Sequence, residues 1–259
     1  MNIGFIGAGQ MGGAMIEGLL KVKIVSAKHL FVKGGSSGTA EKLQKKLKFQ
    51  LIPDYEQFKN CKLIFIATGA KIVLHVLKEL APFLSKDTVL ISVAAGHTIA
   101  EAQAVLGNES YVVHAIPNTP VSVNEGMIGA AYSDNLPKEE KEAAKKILES
   151  LGKVVEVPED LLGTVGTVAG CSPAFVDVFM EALGDAAVME GLPRALSYEI
   201  VAQMIFGTAR LAIESRRHPA ELKDDVTSPG GTTIKGVAAL EKNGFRYAVI
   251  DAVRQANNA

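Results

Sequence analysis

Short apolar segments alternate with amphipathic segments through the first 157 residues of the chain. The apolar segments have the length of buried strands, and they occupy residues 2–6, 29–32, 62–67, 88–93 and 111–115. Helical spacing of apolar residues follows at 15–20, 71–80 and 98–106, and a strand, a helix and a strand follow at 127–131, 138–151 and 153–157. Strands that alternate with helices predict an α/β fold with a parallel, doubly wound sheet, whose ligand crevice lies at the carboxyl ends of the strands.

From Asp160 onward the strand pattern stops and long helical patterns replace it. Residues 173–190 and 193–215 predict helices that begin with proline near the first turn. The second helix is apolar on nearly all faces, through Leu196, Ile200, Val201, Met204, Ile205, Ala209, Leu211 and Ile213. Such a helix has to be buried, and a helical segment of this size cannot easily bury it alone. An intertwined homodimer is therefore predicted, with burial against the first domain as the alternative.

The first predicted strand leads into a glycine-rich turn. Gly7, Gly9 and Gly12 have the spacing G-x-G-x-x-G between a strand and a helix. In a dinucleotide-binding domain these glycines make the turn, admit the pyrophosphate and let helix and strand pack closely. The predicted pyrophosphate contacts are Gly7, Ala8, Gly9, Gln10 and Met11.

The end of the second predicted strand bears on the choice of nucleotide. An enzyme that uses NAD places Asp or Glu there to hold the ribose 2′-hydroxyl, and residues 33–38 contain no acid. Lys33, Ser36 and Ser37 suit a 2′-phosphate instead. The loop therefore predicts a preference for NADP over NAD, although NADH stays open as an alternative hydride donor. The alternative interpretation is a plain polar loop that binds no nucleotide.

Three further loops follow strands and are expected at the same crevice, over residues 68–70, 94–97 and 116–120. Small residues in the second loop would let a flat nicotinamide lie against the backbone. The predicted cofactor contacts from these strand ends are Ala67, Thr68, Gly69, Ala94, Ala95, Gly96 and Asn118. His97 and His114 lie near the crevice and are candidate contacts, whereas structural positions are expected for His29 and His75. No pair of histidines has metal-ligand spacing, so no metal is expected.

A second glycine turn occurs within Asp224–Ile234, and it predicts a helix start that holds an anion. Ser228 is expected to be the N-cap, with Pro229 in the first helical position. The free N–H groups and the helix dipole would then face a carboxylate or phosphate. The candidate anion-site residues are Ser228, Gly230, Gly231, Thr232 and Thr233. The alternative is an ordinary capped helix.

The composition excludes several classes of protein. A net charge of −1 argues against nucleic-acid binding, and the lysines of residues 42–48 suggest a solvated helix face. Cys61 and Cys171 have neither disulfide nor metal spacing, which suits a reducing compartment. A strand from Asn2 leaves no room for a signal peptide, and no apolar run approaches a membrane span. A soluble, cytoplasmic protein without membrane or nucleic-acid partners is expected.

Five segments together resemble one known family, pyrroline-5-carboxylate reductase, the last enzyme of proline synthesis. They are GFIGAGQM at 4–11, AAGHTI at 94–99, PNTP at 117–120, GCSPAF at 170–175, and a segment at 218–233. That segment contains HP at 218–219, LKD at 222–224 and VTSPGGTT at 226–233. The last segment is the most specific match, and the resemblance spans nearly the whole chain.

The resemblance implies an NADP-binding Rossmann domain over residues 1–157 and an all-helical dimerisation and substrate domain over residues 158–259. It implies NADPH as hydride donor and a domain-swapped homodimer, which in this family often assembles into a ring of dimers. One subunit's cofactor domain and the partner's helices would form the site. The resemblance places the substrate carboxylate on the backbone of residues 228–232 and Thr233, the candidate catalytic residue, near the ring nitrogen.

The chain departs from the family pattern at several positions. Thr68-Gly69-Ala70 replaces the usual V-K-P, Tyr55 stands where Asn is common, His114 where Arg is common, and Asp225 where an amide is common. Two alternatives therefore stay open: a paralogue that reduces another cyclic imine, and a non-enzymatic nucleotide-binding sensor. A β-hydroxy acid dehydrogenase is disfavoured, because residues 173–177 lack the lysine which that class uses.

Overall fold

The structure is a computed structural model that describes residues 1–258. The chain divides into two compact units, the first comprising Met1–Gly170 and the second beginning at Cys171. The first unit extends beyond residue 157, because Leu162 belongs to the apolar core on one face of the sheet. The predicted boundary at 157/158 follows the last strand, whereas the two units are divided where few backbone contacts cross.

The first unit contains an eight-stranded sheet. Its strands are β1 (Ile3–Ile6), β2 (Leu30–Lys33), β3 (Gln50–Leu51), β4 (Leu63–Ile66), β5 (Val89–Ser92), β6 (Tyr111–Ile116), β7 (Gly126–Tyr132) and β8 (Gly152–Glu156). Their spatial order is β3-β2-β1-β4-β5-β6-β7-β8. Reversal of the strand order beside β1 is the arrangement that places a ligand crevice at the carboxyl ends of the strands.

One strand pair departs from the predicted parallel sheet. β7 pairs antiparallel with β6, whereas the other neighbouring strands pair parallel. Residues 117–125 connect these two strands through a short 3₁₀ turn, Thr119–Val123. A parallel connection needs about a dozen residues or more, usually with a helix. The short connection therefore makes this pair antiparallel.

Helices cover both faces of the sheet. They are α1 (Gln10–Lys21), α2 (Thr39–Leu47), α3 (Val73–Leu80), α4 (Ile99–Leu106), α5 (Lys138–Glu149) and the short α6 (Leu162–Val165). Side chains from α1, α2 and α5 pack in one core cluster, and side chains from α3, α4 and α6 pack in the other. Along β4, Phe65 joins the first cluster while Ile64 and Ile66 join the second. Successive strand residues point to opposite faces, which explains why these strands are apolar without interruption.

The second unit is helical. It contains α7 (Ser172–Met189), α8 (Arg194–Ser215), α9 (Pro219–Asp225), α10 (Thr232–Lys242) and α11 (Phe245–Asn257). Both long helices were predicted to within a residue or two. α8 buries only Ser197 and Val201, while Leu211 and Ile213 are 56% and 76% exposed. The apolar surface that the sequence requires to be covered is therefore open in the single chain.

One helical run among residues 1–258, Glu159–Met189, is long and apolar enough by length and composition to cross a membrane. The expectation that no apolar run approaches that length is wrong by this measure. The run includes the turn and helices on both sides of the predicted helix start at residue 173, so it is longer than the sequence pattern indicated. Only 11% of its most apolar stretch is buried.

Candidate functional site

The register of the sheet brings the predicted cofactor loops to one edge. Ile6 at the end of β1 lies opposite Lys33 of β2 and Ile66 of β4. Ile66 in turn lies opposite Ser92 at the end of β5. The loops that follow β1, β2, β4 and β5 therefore leave the sheet side by side, as the sequence predicted.

The turn after β1 has the shape that a pyrophosphate site requires. Gly7 has φ +98°, and a Cβ there would overlap the Ala67 carbonyl. Gly9 is the N-cap of α1 and has open space where its side chain would be. No side chain caps α1 and no acid occupies its first turn, so its first N–H groups and its positive dipole end are available to an anion. Gly12 packs against the Gly7 carbonyl with no room for a Cβ.

A cleft of about 320 Å³ adjoins this turn. Of the predicted contacts, Gly7, Ala8, Gly9, Lys33 and Thr68 line it. The Thr68 hydroxyl is buried and has no hydrogen-bond partner within residues 1–258. An orphaned buried hydroxyl beside a glycine cradle fits a ligand that brings its own polar groups. These residues fit a dinucleotide.

The nucleotide end of the cleft includes residues that the glycine motif does not reveal. Tyr55 lines the cleft, and the Lys33 Nζ lies 4.9 Å from the centre of its ring. The Tyr55 hydroxyl donates to Glu79 at 3.1 Å. Burial, followed by this hydrogen bond, raises the pKa of Tyr55 to about 12. Both serines are exposed, and Ser37 lines the cleft whereas Ser36 does not.

The loop after β5, residues 94–98, is held in one conformation. Gly96 has φ +83°, and a Cβ there would come within 2.9 Å of the Ala70 side chain. Thr98 then caps α4: its hydroxyl accepts from the Glu101 N–H at 3.1 Å, and Glu101 accepts from the Thr98 N–H at 2.8 Å. This capping box fixes the point at which the loop becomes a helix.

Two candidate histidines meet behind this loop. The His97 and His114 rings lie 4.9 Å apart, centre to centre, and both side chains are buried. His114 is within hydrogen-bond distance of Glu159 through Nδ1, at 3.0 Å, and of the Ala94 carbonyl through Nε2, at 3.2 Å. Burial, followed by the charge of His114, lowers the pKa of His97. The two histidines are therefore internal groups rather than surface contacts for a ligand.

The Asn118 side chain hydrogen-bonds the backbone through both its nitrogen and its oxygen. Its amide group donates to the Ala169 carbonyl at 3.0 Å and its oxygen accepts from the Met127 N–H at 2.8 Å. These bonds hold the loop after β6 in place. A cofactor contact at Asn118 remains a prediction, and the side chain's visible role is structural.

The second glycine turn differs in detail from its prediction. The Gly231 N–H donates to the Ser228 carbonyl at 3.0 Å, and Gly230 has φ +70°. With Pro229 before it, this is the residue pattern of a type II turn. α10 begins only at Thr232, with Gly231 as N-cap. The predicted N-cap at Ser228 and the helical position of Pro229 are therefore wrong, because a left-handed residue cannot lie inside a helix.

An uncapped helix start is nevertheless present, with its N-cap three residues later than predicted. No side chain caps α10 and no acid lies in its first turn, so the N–H groups that open this helix have no intrahelical acceptor. Thr232 and Thr233 are exposed at this end. Nearby, Asp225 forms a two-pronged ion pair with Arg217, which holds the pKa of Asp225 below its usual value.

The remaining histidines of the first unit have structural partners, as expected. His29 hydrogen-bonds Asn2 at 2.8 Å, and His75 lies 3.5 Å from Glu79 on the exposed face of α3. The Lys-rich segment forms the exposed face of α2.

Two domain families match the chain. Residues 2–96 match the family described as NADP oxidoreductase coenzyme F420-dependent. Residues 159–259 match the family described as pyrroline-5-carboxylate reductase dimerisation. The two matches correspond to the nucleotide-binding part and the helical part of the chain.

Curated relatives match almost from end to end. A pyrroline-5-carboxylate reductase of Synechocystis sp. is 38% identical over 257 residues, which cover 99% of this chain and 96% of the relative. One of Escherichia coli is 36% identical over 97% of this chain and 94% of its own length. The crystal structure of the Plasmodium falciparum pyrroline carboxylate reductase with NADP bound has 33% identity and a TM-score of 0.89, and it covers 100% of this chain and 96% of that one. The chain belongs to the pyrroline-5-carboxylate reductase family.

Proposed function

We propose that this protein reduces pyrroline-5-carboxylate to proline with NADPH as hydride donor, the last step of proline biosynthesis. The observation that carries the proposal is the occurrence of a dinucleotide turn and an uncapped glycine turn in a chain that is similar to these reductases over its full length. The first turn suits a pyrophosphate and the second suits a small carboxylate.

Bound NADPH would supply the hydride, so the protein's work is to bind and orient the two reactants. Gly7, Gly9 and Thr68 would hold the dinucleotide, because they offer open backbone and an unpaired buried hydroxyl. The predicted contacts Gln10, Met11, Ala67 and Gly69 belong to the same strand ends. Ala94, Ala95 and Gly96 would lie beside the nicotinamide.

The substrate carboxylate would bind the N–H groups at the start of α10. Ser228, Gly230 and Gly231 shape the turn before that helix, and a charge-assisted hydrogen bond contributes about 1.5–3 kcal/mol. The exposed Thr233 hydroxyl would orient the ring nitrogen or relay a proton to it. Solvent can also protonate the product amine, so its contribution is modest.

NADP is favoured over NAD by the end of β2. The cleft there is lined by Lys33, Ser37 and Thr39 and contains no carboxylate from residues 33–38. A phosphate gains from the lysine charge and from hydroxyl donors, whereas a free 2′-hydroxyl finds no acidic acceptor.

The assembly we propose is a homodimer through the helical unit. α8 exposes large apolar residues in the single chain, among them Leu196, Ile200, Met204, Phe206, Leu211 and Ile213. Exposed apolar surface of this kind marks an interaction site, and the match to a dimerisation family favours a second copy. We further propose the domain-swapped form, a ring of dimers as its higher assembly, and a cytoplasmic location, where the free cysteines would stay reduced.

The test is oxidation of NADPH by the purified protein with pyrroline-5-carboxylate, with proline measured as the product. The expected result is stoichiometric proline formation. Turnover with another cyclic imine but not with pyrroline-5-carboxylate would indicate a paralogue. NADPH binding without turnover of any imine would indicate a sensor and overturn the proposal.

A further inference from the structure

A buried histidine–carboxylate pair connects the two ends of the loop over residues 94–99. The His114 Nε2 lies 3.2 Å from the Ala94 carbonyl, where the loop begins. The Glu159 Oε1 lies 3.0 Å from the His114 Nδ1 and accepts the Ile99 N–H at 2.7 Å, where the loop ends. The pair thus closes a hydrogen-bonded ring around six residues of backbone.

Both ring nitrogens of His114 face acceptors: Nε2 faces the Ala94 carbonyl and Nδ1 faces the Glu159 carboxylate. A carbonyl oxygen only accepts, so the bond to Ala94 forms when Nε2 carries a proton. The bond to Glu159 forms when a proton lies between Nδ1 and Oε1.

The surroundings of His114 leave this arrangement little freedom. His97 packs against its ring at 4.9 Å between centres and is only 5% exposed. On the neighbouring strands, Ser92 and Ala131 stand opposite His114, and neither titrates near neutral pH. Glu159 and His97 are thus the ionisable groups next to His114, with Glu101 adding a weaker field at His97.

We propose that His114 and Glu159 are a positioning pair, which holds the loop of residues 94–99 in its nicotinamide-binding shape before the cofactor arrives. The consequence for the cofactor rests on the proposed function, whereas the restraint on the loop does not. Neither side chain touches the reactants. Their effect is to remove the free-energy cost of ordering the loop on binding.

Two variants remove the pair from opposite ends. His114→Phe keeps an aromatic ring against His97 and removes both hydrogen bonds. Glu159→Ala removes the acceptor for the Ile99 N–H and leaves the buried His114 ring unchanged. Because Glu159 is partly exposed, this variant should fold, and it keeps the test valid if His114→Phe does not fold. The matched control is His75→Phe, which breaks an exposed histidine–glutamate pair on α3.

The first measurement is hydrogen exchange of the protein without cofactor. Peptides that contain residues 95–99 should exchange at least about tenfold faster in both variants, because a lost hydrogen bond permits local opening. β4 and β5 should exchange as in the wild type. Wild-type exchange in the loop of both variants would overturn the proposal, whether or not the protein is a reductase.

The second measurement is the dissociation constant for NADPH, from fluorescence titration without substrate. This dissociation constant should rise about tenfold in each variant and should stay unchanged in His75→Phe. The KM for pyrroline-5-carboxylate should change little. The double variant should bind NADPH about as weakly as either single one, because the pair acts as a unit. Faster loop exchange with an unchanged dissociation constant, or additive effects in the double variant, would overturn the positioning role. A wild type that binds NADPH without turnover would contradict the proposed function alone.

Discussion

Gly231→Val tests whether the turn before α10 binds the substrate carboxylate. A Cβ at Gly231 would lie 2.5 Å from the Ser228 Oγ and 3.1 Å from the Ser228 carbonyl oxygen. That carbonyl accepts the Gly231 N–H at 3.0 Å, so it cannot move away without loss of the turn. The backbone conformation itself suits valine, since φ is −67°. The expected damage is therefore steric and local.

The size of the effect follows from the hydrogen bonds at stake. Opening the turn misdirects the N–H groups that begin α10, and each charge-assisted bond to a carboxylate contributes about 1.5–3 kcal/mol. Loss of one bond therefore raises the KM for pyrroline-5-carboxylate roughly 10- to 100-fold, at about 1.4 kcal/mol per factor of ten. The KM for NADPH should stay unchanged, because the first glycine turn is untouched.

Steady-state kinetics on the folded variant provide the assay, with circular dichroism as the check on folding. Gly236→Val is the matched control, because Gly236 lies in the same helix and a Cβ there meets no atom within 4 Å. The control carries the cost of valine in a helix without the steric conflict. If folded Gly231→Val keeps the wild-type KM, the carboxylate binds elsewhere and the interpretation of this turn is wrong.

Four further outcomes are expected. Thr233→Ala should lower kcat about ten- to a hundredfold, which is below the upper range for a general acid. It should raise the KM for the imino acid less than Gly231→Val does. An unchanged kcat would show that Thr233 takes no part in the chemistry. Lys33→Asp should weaken NADPH binding roughly tenfold or more and NADH binding less, which comparison of the two specificity constants checks. Light scattering should show a dimer or a multiple of it. Ile213→Lys should weaken this assembly, because the Ile213 side chain is 76% exposed in the single chain, whereas the control Ile24→Lys should leave it unchanged. A wild-type monomer at micromolar concentration would contradict the assembly. Burial lowers the pKa of His97 in the folded protein, so as the pH falls below about 6.5 this histidine takes up a proton in the unfolded chain before it does in the folded one. The free energy of unfolding should therefore fall by at most about 1.4 kcal/mol per pH unit. Urea titrations near pH 7.5 and pH 5.5 should show that this fall is smaller in His97→Leu than in the wild type.

The period of the apolar residues was sufficient to predict most of the first unit. β1, β4, β5 and β6 lie within a residue or two of the predicted strands, because buried strands of a parallel sheet are apolar on both faces. The two-residue β3 was not predicted, since both its residues are exposed. Gly7, Gly9 and Gly12 could be assigned from spacing alone: Gly7 has a positive φ, Gly9 leaves open space above α1, and a Cβ at Gly12 would overlap the Gly7 carbonyl.

Contacts between distant parts of the chain could not be predicted in this way. Glu159 is 45 residues from His114 and 60 from Ile99, and nothing in the local pattern of either segment indicates the other. The cation–aromatic contact of Lys33 with Tyr55 has the same character. Such pairs depend on where the sheet order brings strand ends and loops together, which is a property of the packed chain.

The sequence by itself determined the class of each half, the place of the dinucleotide turn and the place of the second glycine turn, because these depend on local periodicity and on glycine's freedom of φ. The tertiary structure decided the antiparallel β7 and the engagement of Asn118, because strand direction and buried amide partners depend on neighbours in space. It also moved the N-cap of α10 from Ser228 to Gly231. A left-handed glycine and a hydrogen bond across the turn outweigh the capping preference of one serine.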